Sequence, residues 1–378
     1  MTKDFSRSMA NSSSHLKTKP GLWSHTHLDA PLLILLIVLC AFGLLVLYSA
    51  SAQDSGYVMR QGVRMGIGFV AMIFVAQISP VLLERWAPWI YGLGIILLVC
   101  VLLFGVGAKG AQRWLALPGI RIQPSEIIKV VLPLTVAFCL AGRPLPPTLK
   151  QCSVALLLIA LPTLLIMKQP DLGTSLVIAS SGVFVLLFSG IRWRYIFLAL
   201  GVAAACLPLL WMFMKDYQKQ RVMTFLDPES DPLGTGWNII QSKTAIGSGG
   251  FSGKGWLEGT QSQLNFLPES HTDFIIAVLA EERGFIGVAT LIGLYVLIIA
   301  RGLWMASQIS DSFGRLICGS IILTFFVFIF VNIGMVSGIL PVVGLPLPMM
   351  SYGGTSIVTL MIGFGVVMSV YTHRNIVI

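Results

Sequence analysis

The chain is 378 residues long, and 56% of its residues are hydrophobic while only 11% are charged. Soluble domains carry roughly 25% charged residues, so this composition excludes an ordinary soluble globular protein. The mean hydropathy is +0.85 and the net charge is +9. The chain contains no basic run with interleaved aromatic residues, which is the pattern that would indicate nucleic-acid binding. An anionic lipid or a lipid-linked substrate is therefore the better match for the positive charge.

Apolar segments repeat along almost the whole chain. A bilayer core of roughly 30 Å is spanned by about 20 apolar residues in a helix. Ten segments approach this length, and they predict an all-α polytopic membrane protein of about ten transmembrane helices. The segments are 31–50, 65–83, 87–107, 126–142, 153–167, 172–190, 194–214, 274–303, 316–340 and 351–371.

The two ends of the chain are expected on the same side of the membrane, because the number of spans is even. Residues 1–29 are polar and predict a disordered cytoplasmic tail rather than a cleavable signal peptide. Residues 30–378 form the membrane domain. Twelve Lys and Arg residues fall on each side, so the positive-inside rule gives a tie. Both termini are placed in the cytoplasm, because every short inner loop carries a cation while the outer loop 341–350 carries none.

A long extracytoplasmic connection is expected at 215–273. It contains "DPESDP", the glycine-rich "GSGGFSGKGW" and "GTQSQLNFLPESHTDF". Glycines let backbone amides approach a phosphate closely. Together with the basic residues on this side, the loop predicts an anionic ligand at the outer face.

Asp273 is the first candidate for chemistry, since it lies where this loop enters the eighth span. An ionisable group at a membrane boundary is a functional candidate, and a carboxylate there is able to act as a general base. A purely structural role is equally compatible with the spacing, because Ser270 and Asp273 match the capping box S-x-x-D.

Two other groups of charged residues lie inside or beside spans. Glu126 and Lys129 are three residues apart at a helix start, so they either pair on one helix face or line a cavity. The segment 168–171 predicts a tight turn with an ion pair. Glu281, Glu282 and Arg283 predict a buried network inside the eighth span, the alternative being a span that begins near Gly284.

A diphosphate clamp would be drawn from Arg113, Arg121, Arg221, Lys243 and Lys254. The segment "GLPLPMMSYGGTS" at 344–356 is irregular at membrane depth, which is tolerated where the backbone lines a cavity or packs in protein. The six cysteines lie in or beside apolar segments without metal-site spacing and are expected to be packing residues.

Five blocks of the sequence, in order, resemble one family. They are "QRWLALPGIRIQPSEIIK" (112–129), "KQPDLGTS" (168–175), "FLDPESDPLGTGWNIIQSKTAIGSGGFSGKGW" (225–256), "FLPESHTDFIIAVLAEERG" (266–284) and "GLPLPMMSYGGTS". These blocks are similar to the SEDS family (shape, elongation, division and sporulation). The block "GTQSQLNFLPESHTDF" resembles the RodA-type elongation members more than the FtsW-type division members. Trp237 and Asn238 depart from the family's usual Tyr-His pair.

The resemblance implies a ten-helix peptidoglycan glycosyltransferase of the bacterial cytoplasmic membrane. It would polymerise lipid II into glycan strands for cell-wall elongation and rod shape, with undecaprenyl diphosphate leaving. Asp273 takes the position of the family's catalytic Asp, and Glu126 and Lys129 that of its functionally important pair. The other substrate-binding or cavity candidates are Arg113, Arg221, Lys243, Lys254, Glu269, His271, Ser351 and Tyr352.

The implied partners are a class B penicillin-binding transpeptidase and other membrane proteins of the elongation complex, with no nucleic acid. No cofactor is required by the sequence, and a divalent cation would fit the reaction although no ligand cluster indicates one. Two alternatives use the same residues: a lipid II flippase that forms no bond, and a non-catalytic scaffold in which Asp273 only caps a helix.

Overall fold

Twelve helices and three short strands make up the described part of the chain. The computed structural model describes residues 26–108, 111–117, 120–142, 146–214, 219–220, 223–225, 227, 235–263 and 270–373. Residues 1–25 of the predicted tail therefore lie outside the description. The helices are α1 (Ala30–Ala50), α2 (Ser55–Ala76), α3 (Pro80–Phe104), α4 (Pro124–Ala141), α5 (Leu149–Lys168), α6 (Leu172–Phe188), α7 (Trp193–Phe213), α8 (Thr235–Gly249), α9 (Thr260–Gln263), α10 (Ile275–Ser307), α11 (Ser312–Val336) and α12 (Thr355–Thr372).

A helix occupies each of the ten segments predicted to span the membrane. Eight of them, α1 to α5 and α10 to α12, are long and apolar enough to cross a bilayer. The other two are α6, an apolar helix of 17 residues, and α7, which has 21 residues. The prediction of an all-α polytopic membrane protein is therefore confirmed.

Two helices begin earlier than hydropathy predicts. Helix α2 begins at Ser55 rather than near 65, and α3 begins at Pro80 rather than near 87. Arg60 and Arg64 consequently lie on a helix rather than in a loop. A hydropathy window locates only the most hydrophobic part of a helix. The start of α2 is set instead by its N-cap, Asp54, whose side chain accepts a hydrogen bond from the Gly56 amide at 2.7 Å.

Contacts between loops define two ends of the bundle. At the terminal end, the rings of His27 and His373 stack 4.0 Å apart, and Arg301 pairs with Asp29 at 2.6 Å. The opposite end, called here the loop end, carries the connections after α1, α3, α5 and α11 and the segment that precedes α10. Helices α4, α11 and α12 are the most buried of the eight long apolar helices, so they form the centre of the bundle.

A small antiparallel sheet, which the sequence did not predict, lies in the connection between α3 and α4. Its strands are β1 (Val106–Ala108), β2 (Ala111–Leu117) and β3 (Ile120–Ile122), in the order β1-β2-β3. Trp114 is opposite Val106, and Leu115 is opposite Ile122. The sheet carries Arg113 to the loop end immediately before α4.

Helix α10 is broken at Gly284, where φ is 60° and ψ is −154°. This conformation is essentially restricted to glycine, and it interrupts the helical hydrogen bonds inside an apolar helix. The glycine loop, defined here as residues 249–255, supplies the missing partners. The four hydrogen bonds run from Lys254 N to Glu281 O (3.0 Å), from Gly255 N to Glu282 O (3.1 Å), from Phe285 N to Gly250 O (3.0 Å) and from Ile286 N to Phe251 O (3.2 Å).

The glycine loop therefore stabilises α10 at its break. A Cβ atom at Gly249 would lie 1.9 Å from the carbonyl oxygen of Ala280, and one at Gly253 would lie 2.2 Å from that of Glu282. Only glycine permits this approach of two backbones. The expectation that the loop's amides cradle a phosphate is wrong for Lys254 and Gly255, because both donate to α10.

Replacing Gly249 with alanine should destabilise the protein, because the new methyl group forces the loop away from the break in α10. Overpacking by one added methyl group predicts a loss of about 1–3 kcal/mol. The measurement is the loss of folded protein on heating in detergent. Gly247→Ala is the matched control, since Gly247 also lies on α8 but a Cβ atom there would have nothing within 4 Å. Equal melting temperatures for the two variants would contradict the stabilising role of the glycine loop.

Candidate functional site at the loop end

Asp273 lies two residues before α10 begins, half-buried at the loop end. Its carbonyl oxygen accepts a hydrogen bond from Asn332 Nδ2 at 3.0 Å, and the same amide donates to the Leu345 carbonyl at 2.7 Å. A Cβ atom at Gly344, where φ is 72°, would lie 3.5 Å from Asp273 Oδ2. The connection between α11 and α12 thus holds the backbone of Asp273 and borders its carboxylate.

The capping box predicted from Ser270 and Asp273 is wrong. Phe274 precedes the first residue of α10 and makes no side-chain cap, so Ser270 lies too far from the helix start to cap it. Its hydroxyl donates instead to the carbonyl of Ala50, at the end of α1, at 3.1 Å. Ser270 therefore ties the segment before α10 to α1.

Two arginines and three aromatic rings form a cluster beside this segment. The Tyr57 ring lies 5.1 Å from the His271 ring and 5.0 Å from the Tyr352 ring, edge to face in the latter case. Arg60 lies 4.8 Å above Tyr57 and donates from Nε to the Tyr352 hydroxyl at 3.3 Å, while Arg64 lies 4.7 Å above Tyr352. Cation–π contacts of this kind hold both guanidinium groups in place.

This arginine cluster is joined directly to the Asp273 segment. The backbone amide of Tyr352 donates to the carbonyl of His271 at 2.8 Å, two residues before Asp273. His271 and Tyr352 were both expected at the site, and the structure brings them together. Arg60 and Arg64 were not among the candidates. Hydropathy started the second span near residue 65, so the two were not recognised as neighbours on one helix face, which their spacing of four residues indicates.

Ser351 is buried and organises the turn before α12. Its hydroxyl accepts a hydrogen bond from the Leu347 amide at 2.8 Å, and its carbonyl accepts one from Gln61 Nε2 at 2.9 Å. Gln61, next to Arg60 on α2, is fully buried. Ser351 therefore fixes the shape of the 344–356 segment and attaches it to α2, consistent with a cavity wall packed in protein.

Glu126 and Lys129 form a buried ion pair at the start of α4. Lys129 Nζ lies 2.7 Å from Glu126 Oε1, and both side chains are less than a tenth exposed. Thr359 of α12 donates to the other carboxylate oxygen at 2.7 Å, and Lys129 lies 5.2 Å from the centre of the Phe328 ring. Lys129 and Thr359 also line a small cavity of about 30 Å³, so the pair and the cavity, offered as alternatives by the sequence, occur together.

Arg113 reaches from β2 to the turn between α5 and α6. Its Nη2 donates to the carbonyl of Pro170 at 2.8 Å, and its Nε lies 3.5 Å from Asp171 Oδ2. Asp171 also caps α6 through the amide of Thr174 at 3.3 Å. The ion pair predicted for this turn exists, but its cation is Arg113 from the sheet.

Lys254 and Lys243 differ in how freely they present their charge. Lys254 Nζ lies 2.7 Å from Glu281 Oε1, and the fully buried Glu281 also accepts from the Gln261 amide at 2.8 Å. The network predicted for Glu281, Glu282 and Arg283 is buried at the two glutamates, where Lys254 neutralises Glu281. The prediction is wrong for Arg283, whose side chain is exposed. Lys243 is exposed on α8 with its stem against Gly338. Arg221 and Glu269 lie outside the described residues.

The loop end thus combines one carboxylate at a helix entrance with fixed cations. Such an arrangement is able to remove a proton from a hydroxyl beside Asp273 and to stabilise negative charge near Arg60 and Arg64. Within the described residues, no three His, Cys, Asp or Glu side chains are grouped so as to hold a metal ion.

Known proteins match the chain along nearly its whole length. The chain is 56% identical over 358 residues to the peptidoglycan glycosyltransferase MrdB of Escherichia coli K12, covering 94% of this chain and 97% of that protein. A chain from a peptidoglycan synthase complex, solved to describe the structural coordination of polymerization and crosslinking, has 33% identity and a TM-score of 0.81, covering 92% and 98%. The rod shape determining protein RodA of Thermus thermophilus has 30% identity and a TM-score of 0.70, covering 92% and 97%.

The family resemblance drawn from the five sequence blocks is confirmed by a model of the whole family. The FtsW, RodA and SpoVE family, described as cell cycle proteins, matches residues 30–376. The match begins at the first residue of α1 and ends beyond α12, so it covers every described helix. The chain therefore belongs to the FtsW/RodA/SpoVE family of cell cycle proteins.

Proposed function

We propose that the chain is a peptidoglycan glycosyltransferase that polymerises lipid II for cell-wall elongation and rod shape. The observation that carries the proposal is the position of Asp273 at the helix entrance, joined through His271 and Tyr352 to the Arg60–Arg64 cluster. The relative named as a peptidoglycan glycosyltransferase, with 56% identity, supports the same activity.

In the proposed reaction, the anomeric carbon of the growing glycan is transferred to the sugar 4-hydroxyl of an acceptor lipid II. Asp273 accepts the proton of that hydroxyl while the new C–O bond forms. The bond to undecaprenyl diphosphate breaks, and the diphosphate leaves with the bonding electrons. Arg60 and Arg64 stabilise the charge that develops on it, since arginine binds phosphate oxygens through two parallel hydrogen bonds.

In the proposed reaction, side chains of the chain supply both the proton transfer and part of the charge stabilisation. A divalent cation bound to the diphosphate would share the charge with the arginines. Lys243 and Arg113 lie at the same end of the bundle. Lys254 is left out of the clamp because its ammonium group already neutralises Glu281.

The chain is a multi-pass protein of the inner membrane, as its apolar helices and its family indicate. The proposed reaction requires the loop end to face outward, which puts both termini in the cytoplasm. Labelling of single cysteines placed at Gln53 and Ser310 with an impermeant maleimide tests this orientation. Only the first should react in intact spheroplasts.

The proposed partner is a class B penicillin-binding transpeptidase, together with other membrane proteins of the elongation complex. The support is the 33% identical chain, which belongs to a synthase complex that coordinates polymerization with crosslinking. Crosslinking joins peptides of strands that polymerisation has just made, so a crosslinking enzyme has to act beside the polymerase. Co-purification with such a transpeptidase from the native membrane is the direct check.

Asp273→Asn should abolish polymerisation, because the amide keeps the shape of the carboxylate but cannot take the proton. General-base catalysis predicts a loss of about 10²- to 10⁴-fold in rate, measured as glycan formed from labelled lipid II by purified protein. Glu258→Gln, an exposed carboxylate at the loop end, is the control and should keep full activity. Full polymerisation by Asp273→Asn would show that Asp273 is not the general base. Absence of any polymer from wild type would favour the scaffold, or the flippase if lipid II still moved from leaflet to leaflet.

Arg60→Gln and Arg64→Gln should each slow the chemical step more than they weaken substrate binding, because both charges act on the leaving diphosphate. Loss of one charge-assisted hydrogen bond predicts a decrease of about tenfold or more in kcat. Steady-state rates over a range of lipid II concentrations separate kcat from KM. A change confined to KM would show that the arginines only bind substrate.

The Glu126–Lys129 pair has a test that separates stability from activity. Lys129→Met leaves a buried carboxylate without its cation and should destabilise the fold by about 3–5 kcal/mol. The double variant Glu126→Gln/Lys129→Met removes both charges and should recover most of the melting temperature. If the pair also acts on substrate, the folded double variant stays inactive, whereas recovery of polymerisation would assign the pair a purely structural role.

A further inference from the structure

A lateral groove between α1 and α10 opens near the loop end. Its volume is about 440 Å³. Leu45 of α1 is 58% exposed and Ile286 of α10 is 51% exposed, so the groove walls face away from the bundle. Trp256, from the chain that follows the glycine loop, lies over one side of the groove and is 45% exposed. In a membrane-spanning protein, these surfaces are covered by lipid.

One cation lies in this apolar groove. Arg283 immediately precedes the break at Gly284, its side chain is exposed, and it lines the groove together with Phe42, Leu45 and Val46. Among the described residues, Arg283 has no ion pair, hydrogen bond or aromatic ring as a partner. Glu282, although adjacent in sequence, is buried and accepts a hydrogen bond from the hydroxyl of Ser49.

The aliphatic part of the Arg283 side chain packs against Gly287. A Cβ atom at Gly287 would lie 2.4 Å from Arg283 Cβ and 3.4 Å from its Cγ. The side chain therefore packs along the groove floor, where a larger residue would displace it. Leu45 and Val46 come four to five residues before the end of α1, which corresponds to roughly 6–8 Å along the helix axis.

An arginine at this depth needs an anion, because an unpaired charge within the hydrocarbon layer is costly. The phosphate of a lipid is the anion that the membrane itself supplies, and the guanidinium group binds it through two hydrogen bonds. A zwitterionic lipid brings its own ammonium group to the phosphate and competes with the arginine. A lipid with net negative charge leaves the phosphate available, while Trp256 suits the headgroup level where indole rings concentrate.

We propose that the α1–α10 groove binds one anionic glycerophospholipid, with its phosphate on Arg283 and an acyl chain along Phe42, Leu45 and Ile286. The inference is independent of the proposed glycosyl transfer, since the groove uses none of the residues assigned to that reaction. Because Arg283 adjoins the break in α10, the bound lipid contacts the same region of α10 that the glycine loop stabilises.

The test is native mass spectrometry of the purified full chain, titrated with phosphatidylglycerol or with phosphatidylcholine of the same acyl chains. Wild type should bind one phosphatidylglycerol about tenfold more tightly than phosphatidylcholine, as expected for a charge-assisted bidentate contact. Arg283→Leu should bring this ratio close to one, Arg283→Gln should do the same with a polar side chain, and Arg283→Lys should keep part of the preference. Arg194→Leu removes an exposed arginine at the start of α7 and should leave the ratio unchanged.

Several outcomes would overturn the assignment. An unchanged ratio in both Arg283→Leu and Arg283→Gln would show that the selectivity arises elsewhere, and an equal loss in Arg194→Leu would show a nonspecific charge effect. If wild type bound phosphatidylglycerol and phosphatidylcholine equally, the anionic-lipid assignment would be wrong, and another occupant, such as the helix of a partner, would be indicated. Displacement of phosphatidylglycerol by equimolar undecaprenyl diphosphate would reassign the groove to the polyprenyl substrate. Melting temperatures of all variants without added lipid verify that each is folded.

Discussion

The break in α10 is the constraint on which the loop end depends. A membrane helix cannot leave backbone groups without partners, because the hydrocarbon layer offers no water to bind them. Gly284 interrupts the helix, and the glycine loop replaces the lost hydrogen bonds with four of its own. Glu281, fully buried one turn earlier, is neutralised by Lys254 from that loop. The long connection is thereby bound to the bundle, and the first two turns of α10, which carry Asp273 at their entrance, acquire a fixed position.

Around the site, side chains from bundle helices likewise form hydrogen bonds with polar groups at the ends of other elements. Asn332 of α11 holds the carbonyl of Asp273, Gln61 of α2 holds that of Ser351, and Thr359 of α12 holds the carboxylate of Glu126. Each bond joins a side chain from a helix to a group at the end of a different element. Side chains that are locked by packing and hydrogen bonding keep catalytic groups within narrow geometric limits, as the proposed transfer between two lipid-linked sugars requires.

The sequence predicted the helices and the position of Asp273 well, and it failed where long-range pairing decides the structure. Apolar length locates spans because it reflects the thickness of the bilayer. The sheet at 106–122 could not be read from hydropathy, since its strands are three to seven residues long. Lys254 appeared to be a free cation because its partner, Glu281, lies 27 residues away in sequence. Ser270 matched a capping pattern, but the helix starts later and the hydroxyl contacts α1 instead.

The bond between Asn332 and the carbonyl of Asp273 has a consequence for biosynthesis. Asn332 lies on the last helix but one, and Gly344 and Tyr352, which also border the Asp273 segment, follow it in the chain. Synthesis proceeds from the N-terminus, so α10 is inserted while these residues are still inside or near the ribosome. The carboxylate therefore remains without its surroundings until the final helix has entered the membrane. Under the proposed mechanism, a nascent or prematurely terminated chain has no competent site, so incomplete copies do not polymerise glycan.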